Sequence, residues 1–419
     1  MHTPARRHVC IVFLAALLAL RGADAAAQML PSEPLTFGTG WLTLGADVSA
    51  TASCASVEGN TSRCTTDTGF FNYTDYQHSA LRMLIAGLTT EVKAGERVSV
   101  LAEIRSENGG VPNPYALYVR VRPWPTRGFD IQAGRVPPTF GAFARRYYPY
   151  DNLLIGYPLA YQYLTSIRPD ALPANADELL RMRGRGWLSN FSVGNPNADN
   201  GLPLVHAFRW DTGIQVHAGN PRTEATVAVT TGTLANPLVG DDNGGRQIAG
   251  RVVFRPIAGL ITGASAARGP FVTTDALRVG GVEGNASDYT QTAWGADAEY
   301  SRGYYLVRFE AIVSDWRLPL LNTPAIDMPL RAVSTSIEGR YKIRPGLYMA
   351  ARSDHLTFSQ VTGALRHDGW DAPVTRLELG GGYSLQRNVM LKAAYQHNTR
   401  QTERAAAADA AALQLVYWF

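Results

Sequence analysis

The chain is short of cysteine, of charge and of long apolar runs. Three cysteines in 419 residues exclude a disulfide-stapled scaffold or a multi-cysteine metal site. Charged residues make up 18% and nearly balance, 39 basic against 35 acidic. That excludes a charge-driven disordered tail and gives no reason to expect nucleic acid as a partner. Beyond residue 27 no segment reaches the ~18 consecutive apolar residues of a transmembrane helix. Helical periodicity is scarce too, the one short candidate being ADELLRM at Ala176–Met182. Catalytic motifs are equally missing. There is no H-E-x-x-H and no G-x-S-x-G, and His78, His206, His217, His355, His367 and His397 are scattered without metal-ligand spacing. The Gly-rich stretches GVEGNAS and LGGGYS fall in a loop and a strand pattern, with no helix after them to make a phosphate loop. No cofactor and no enzymatic activity are therefore expected. A hydrolase assembled from distant residues is the lesser alternative.

What is present begins with a processing signal. MHTPARRH carries Arg6 and Arg7, VCIVFLAALLAL is mostly apolar, and GADAAAQ offers an A-x-A site at Ala25-Ala26-Ala27. This is the layout of a secretory signal peptide over 1–27. The apolar run is too short to span a bilayer, and Cys10 precedes it, which argues against a lipoprotein. Cleavage leaves a net charge of +2 and two cysteines, Cys54 and Cys64. An even pair at short separation in an exported chain reads as one disulfide closing a loop. The stretch between them, CASVEGNTSRC, has no histidine or second thiol pair to support a metal site.

The recurring pattern is period 2. In SIEGRYKIR, Ile337, Gly339, Tyr341 and Ile343 alternate with Glu338, Arg340, Lys342 and Arg344. YLVRFEAIV, ALYVRVR, QIAGRVVFR and VMLKAAYQ behave alike. Successive side chains of a strand point to opposite faces, so each segment has an apolar and a charged face. Short turns at 93–97, 123–128, 219–223, 256–259, 301–303, 344–346 and 386–388 alternate with long connections at 51–79, 107–114, 136–207, 233–245, 268–289, 316–330, 359–373 and 400–407. About sixteen strands result, many of ten residues or more. Strict alternation puts all short turns at one end of an up-and-down sheet. A sandwich core could not bury the charged faces without pairing them. A closed barrel with lipid outside and water inside satisfies both faces and removes the edge strands. The expected fold is all-β: a transmembrane up-and-down antiparallel β-barrel over 36–419, preceded by a short periplasmic segment, 28–35.

The last strand is ALQLVYWF, with Leu413, Leu415, Tyr417 and Phe419 on one face. With the signal peptide and the turn pattern, this ending resembles the outer-membrane proteins of Gram-negative bacteria. The resemblance implies a cell outer membrane location, with lipid and lipopolysaccharide as surroundings. It also implies that the barrel-assembly machinery reads Leu415, Tyr417 and Phe419, and it makes a homotrimer an option.

The longest connection, 136–207, is the third external one. In porins that loop folds into the lumen and narrows the channel, so the same is expected here. Its opening, GRVPPTFG, is similar to the post-strand segment of phosphate-selective and related substrate-specific porins. Arg145, Arg146, Arg168, Arg181, Arg183 and Arg185 lie on it, while Arg120, Arg122, Arg209, Arg340 and Lys342 take inward strand positions. Arginine-lined lumens favour anions and bind carboxylate or phosphate bidentately. The expected function is passive diffusion of small hydrophilic solutes with a modest anion preference, phosphate or organic acids among them. Against this, mixed charges across a barrel wall usually pair, and external arginines also suit lipopolysaccharide phosphates. Tyr147, Tyr148, Tyr150, Tyr157, Tyr161 and Tyr163 read as loop anchors ahead of a sugar slide. The alternative from a different class is an adhesin or structural barrel with a closed lumen.

Overall fold

The computed structural model describes residues 31–57, 84–206, 210–319, 321–402 and 407–419. Cys64 and Arg209 lie outside the described residues, as does the side chain of Arg145. Sixteen long strands form the wall: β1 (Leu42–Val57), β2 (Leu84–Lys93), β3 (Val98–Glu107), β4 (Asn113–Val121), β5 (Gly128–Val136), β6 (Asp211–Gly219), β7 (Thr223–Thr230) and β8 (Gln247–Phe254) in the first half. The second half holds β9 (Leu260–Pro270), β10 (Thr290–Arg302), β11 (Tyr305–Trp316), β12 (Leu330–Arg344), β13 (Leu347–Phe358), β14 (Val374–Gln386), β15 (Val389–Arg400) and β16 (Ala407–Trp418). Every neighbour is antiparallel, and β1 pairs with both β2 and β16, which closes the barrel.

A short strand, Leu35–Phe37, pairs with Leu42–Leu44 of β1, just past the point where β16 stops opposite Asp47. The N-terminal segment thus covers backbone groups that the end of β16 would leave unpaired.

The alternation of connections follows the expectation. Seven turns of two to six residues lie at one end, and the described parts of the connections 108–112, 137–210, 231–246, 271–289, 317–329, 359–373 and 401–406 lie at the other, while 58–83 falls outside the described residues. Two of these, 108–112 and 401–406, are no longer than the longest of the short turns.

Period 2 decides which face is which. Leu117, Ile248, Trp294, Tyr305 and Leu413 are exposed on the outside, whereas Arg105, Glu310, Arg352, Glu378 and Lys392 are buried on the inside. The outer surface is therefore an apolar band suited to lipid, and closure satisfies every ladder. The inner face carries small apolar residues between its charges, and the main apolar cluster forms where the long connections pack on them: Phe140, Leu159, Tyr161, Phe271, Trp316 and Trp370 share it with Ala249, Ala293 and Ala332 of the wall.

Among the described residues, three short α-helices, the first of them Leu159–Gln162, and two small two-stranded sheets lie in those connections. The predicted ADELLRM helix is present as α1 (Ala176–Arg181), capped by Asn175, whose side chain accepts from the Glu178 amide. A further helix, α2 (Thr274–Gly280), has Thr273 as its cap.

Candidate functional site: the charged inner wall and the third long connection

A row of opposite charges runs around the inner wall. Glu299, Arg308, Glu338, Arg352 and Glu378 are direct cross-strand partners on the five consecutive strands β10 to β14. Their bridges measure 2.9 Å (Arg308–Glu299), 3.1 Å (Arg308–Glu338) and 3.3 Å (Arg352–Glu338), and Arg352 also binds Glu378. Directly opposed unlike charges stabilise a sheet, and away from bulk water each also offsets its neighbour's desolvation. Beside this row, Arg251 on β8 reaches Asp297 on β10 with two bonds of 2.6 and 2.8 Å.

The connection 137–210 is tied to inward-facing side chains of many strands. The Gly156 amide donates to Glu378 at 2.9 Å, and Arg376 donates to the Tyr157 carbonyl at 2.9 Å. The Lys392 ammonium donates to the carbonyls of Asn152 (2.8 Å), Leu154 (3.3 Å) and Pro149. Glu310 accepts from the Ala142 amide at 2.7 Å and from the Tyr161 hydroxyl at 2.8 Å. Arg105 donates to the Tyr147 hydroxyl at 3.0 Å, and the Tyr148 hydroxyl donates to Glu103 at 2.7 Å. An irregular segment has no ladder of its own, so its buried amides and carbonyls need partners, and the charged wall supplies them.

Gly156 makes a close approach to the wall. A Cβ there would lie 2.0 Å from the Gln396 amide nitrogen and 2.8 Å from Glu378. Further out, the buried Asp371 carboxylate accepts from the amides of Ser166 and Gly184, both at 2.7 Å. Burial pushes its carboxyl above the usual aspartate range, against the pull of those amides. Asp177 on α1 accepts from the amides of Ala364 (2.8 Å) and Leu365 (2.9 Å), joining this connection to the one after β13.

No family model and no curated protein matches the chain in sequence. Solved structures do match in shape. The anion-selective porin from Comamonas acidovorans superposes with a TM-score of 0.53 at 12% identity, over 90% of this chain and 99% of that one. The outer-membrane channel DcaP of Acinetobacter baumannii gives 0.54 at 10%, over 92% and 100%. The trimer form of OmpT of Vibrio cholerae gives 0.51 at 10%, over 90% and 99%. The fold is that of the outer-membrane porins.

Within this barrel the basic residues named from the sequence scatter into different roles. Arg120 on β4 pairs with Glu91 on β2 at 2.6 Å. Arg122 lies one residue past β4, exposed in the short turn. Arg146 joins the wall row at Glu299, 2.8 Å away. Arg168 is fully buried and directs its donors within the connection, to Asp170 and to the carbonyls of Ser189 and Asn197. Those bonds, with Asn195, outweigh burial and hold the Asp170 carboxyl below its usual range. Arg181 is exposed on α1 beside Glu178 at 3.3 Å, and Arg183 pairs with Asp368 at 3.2 Å. Arg185 is half-buried. On β12, Arg340 keeps a buried Nε without a hydrogen-bond partner among the described residues, and Lys342 is exposed near the short-turn end.

The tyrosines anchor, as expected: Tyr147, Tyr157, Tyr161 and Tyr163 are buried. Burial and the neighbouring Glu310 push the Tyr161 phenol well above its usual value, so it stays protonated as a donor. Tyr150 is exposed and stacks on Trp418 of β16 at 5.6 Å. Cys54 on β1 is disulfide-bonded. At the closing seam, Leu415 faces outward with Leu413, and Tyr417 and Phe419 stand with ring centroids 5.8 Å apart. Gly156, Asp371 and Asp177 went unforeseen, because a loop residue's partner hundreds of positions away leaves no local pattern. Among the described residues no group of His, Cys, Asp or Glu is arranged to hold a metal ion.

Proposed function

We propose that the chain is an outer-membrane porin through which small hydrophilic solutes diffuse passively, with the connection 137–210 folded inward to narrow the lumen. The observation that carries this reading is the set of bonds between the connection's backbone and the inner-wall charges Glu310, Arg376, Glu378 and Lys392. They hold the segment against the face that a water-filled channel would expose.

The solutes are small ions and polar metabolites, phosphate and organic acids included. Anion preference is modest, because ion pairing takes up most of the arginine set. It rests on Arg340, Lys342 and Arg185 rather than on Arg168 or Arg181. The basic residues of the outer connections suit lipopolysaccharide phosphates, and the apolar band suits a homotrimer, the state of the similar trimeric OmpT. Leu415, Tyr417 and Phe419 serve as the signal for the barrel-assembly machinery.

A second reading has one observation in its favour. Arg352, Asp354, Arg376 and Glu378 are almost wholly buried inside the barrel, as they would be in a closed barrel working through its outer loops, for instance as an adhesin. Planar-bilayer recording of the refolded mature protein under a KCl gradient separates the two. Small stable steps with a chloride-leaning reversal potential are expected. A correctly folded barrel that passes no current would sink the porin reading.

A further inference from the structure

A cavity of about 560 Å³ opens between the inner faces of β1 to β4, the N-terminal segment at Ser32 and Pro34, and the end of β16. Its size is that of a small-molecule site. Its charged side chains are all acidic: Asp47, Glu91 and Glu103 line it among threonines and tyrosines, while the two nearby guanidinium groups, Arg105 and Arg120, do not. Arg120 is engaged by Glu91 and Arg105 by Glu103, both at 2.6 Å. Asp47 is left over. It is only 4% exposed, and its Oδ2 has no hydrogen-bond partner among the described residues. The opposing residue on β2 is Gly87, and a Cβ there would lie 2.4 Å from the Asp47 Oδ1, so the wall makes room for this carboxylate.

The rest of the lining is aromatic. Tyr148 stacks on Tyr150 at 5.3 Å, and Tyr150 on Trp418 at 5.6 Å, a row from the connection to the last strand in which Tyr148 already carries the Arg105 guanidinium over its ring at 5.3 Å and Tyr150 and Trp418 remain for a ligand. Tyr118 and Trp210 stand together on the β4 side, 6.3 Å apart. A buried carboxylate without a partner is unfavourable unless a proton or a positive group neutralises it, and a bound cation would supply the latter. Aromatic faces attract the same kind of group, and more strongly where water is excluded.

We infer that this cavity is a binding site for a small organic cation, a primary ammonium or guanidinium on a compact apolar body, with Asp47 as its counter-ion and the Tyr150–Trp418 pair against its body. A chloride-leaning pore and such a site coexist, because bulk ion preference reflects the unpaired charges along the whole path and the site reflects one. The channel reading explains only how the solute arrives; binding does not depend on it.

The test uses the refolded mature protein in detergent, titrated with phenethylammonium chloride and followed by calorimetry and by the fluorescence of Trp210 and Trp418, which line the cavity. Sodium phenylacetate and 2-phenylethanol are the matched anionic and neutral probes. Saturable binding of the ammonium alone is expected, weakened at least tenfold by Asp47→Asn and largely retained by Asp47→Glu. Equal binding of all three probes overturns the inference, as does full affinity in Asp47→Asn. The three-probe comparison needs only the wild-type protein, so it decides even where a variant does not fold. Bilayer recording of the same preparation separates the two claims. A silent barrel that binds the ammonium sinks the channel and keeps the site, and a conducting barrel that binds all three alike sinks the site alone.

Discussion

Arg251 and Asp297 form a two-pronged pair, at 2.6 and 2.8 Å, across a strand that lies between them. The intervening strand, β9, presents Gly263 at that point, and a Cβ there would lie 2.5 Å from both Arg251 Nη2 and Asp297 Oδ2. A side chain at 263 would have to displace both groups from this geometry. In Gly263→Val the two groups are pushed apart and lose charge-assisted bonds worth roughly 1.5–3 kcal/mol. The expected outcome is a lower urea midpoint for barrel unfolding. An unchanged midpoint would mean that the pair contributes nothing to the wall.

Lys392 offers a sharper test of the third connection. Its ammonium donates to three carbonyls of one irregular stretch, those of Pro149, Asn152 and Leu154. Lys392→Met keeps the aliphatic stem and removes the donors, leaving buried carbonyls unsatisfied at a cost of about 1–3 kcal/mol each. The segment should loosen, and single-channel steps should grow larger and noisier than those of the wild type. Steps of unaltered size would show that the connection does not set the conductance.

Much of this was legible in advance, and the reason is geometric. Alternation along Tyr305–Val313 or Val389–Gln396 depends only on the pleat, so the outward and inward faces follow from neighbouring residues. Loop lengths then fix the up-and-down order. Arg135 shows where parity alone stops: it shares the outward parity of Leu117, its register partner, yet lies at the strand end and folds over to bond the Trp210 carbonyl at 2.9 Å. Pairing across the lumen was not legible. Arg168 and Arg146 are the same residue type on the same connection, but one is buried among loop carbonyls and the other meets Glu299 on the wall. That difference depends on how 137–210 folds, which no short-range period records.

The outer connections should respond to acid in a defined order. The amides of Leu365 and Ala364 hold the Asp177 carboxyl below its usual range. A group with a depressed folded pKa contributes fully above the unfolded value, about 3.9 for aspartate, and the contribution is lost as pH falls through the lower folded value. Asp371 has the opposite sign: burial raises its pKa, so its protonation favours the folded form and its contribution declines as pH rises. Acidification from pH 7 to about 4 should therefore leave the Asp177 contact closed. Below that, amide exchange at 364–365, corrected for its intrinsic pH dependence, should accelerate. Asp177→Asn should show fast exchange already at pH 7, and protection equal to the wild type there would refute the assignment.

The end of the chain carries two separable contributions. Phe419 exchanges backbone bonds with Ala46 at 3.0 and 2.9 Å, and the Tyr417 hydroxyl donates to the Pro31 carbonyl at 2.8 Å, so the last residues close the seam and hold the N-terminal segment. Deleting Phe419 removes two net hydrogen bonds, roughly 1–3 kcal/mol together, from a wall with fifteen other strand pairs. Refolding in detergent should consequently proceed with nearly wild-type yield. If the terminal aromatic is also an assembly signal, the same deletion should cut the amount of folded barrel recovered from cell outer membranes several-fold. Equal losses in both settings would assign Phe419 a purely structural role. A normal yield in cells would remove Leu415, Tyr417 and Phe419 from consideration as a recognition element.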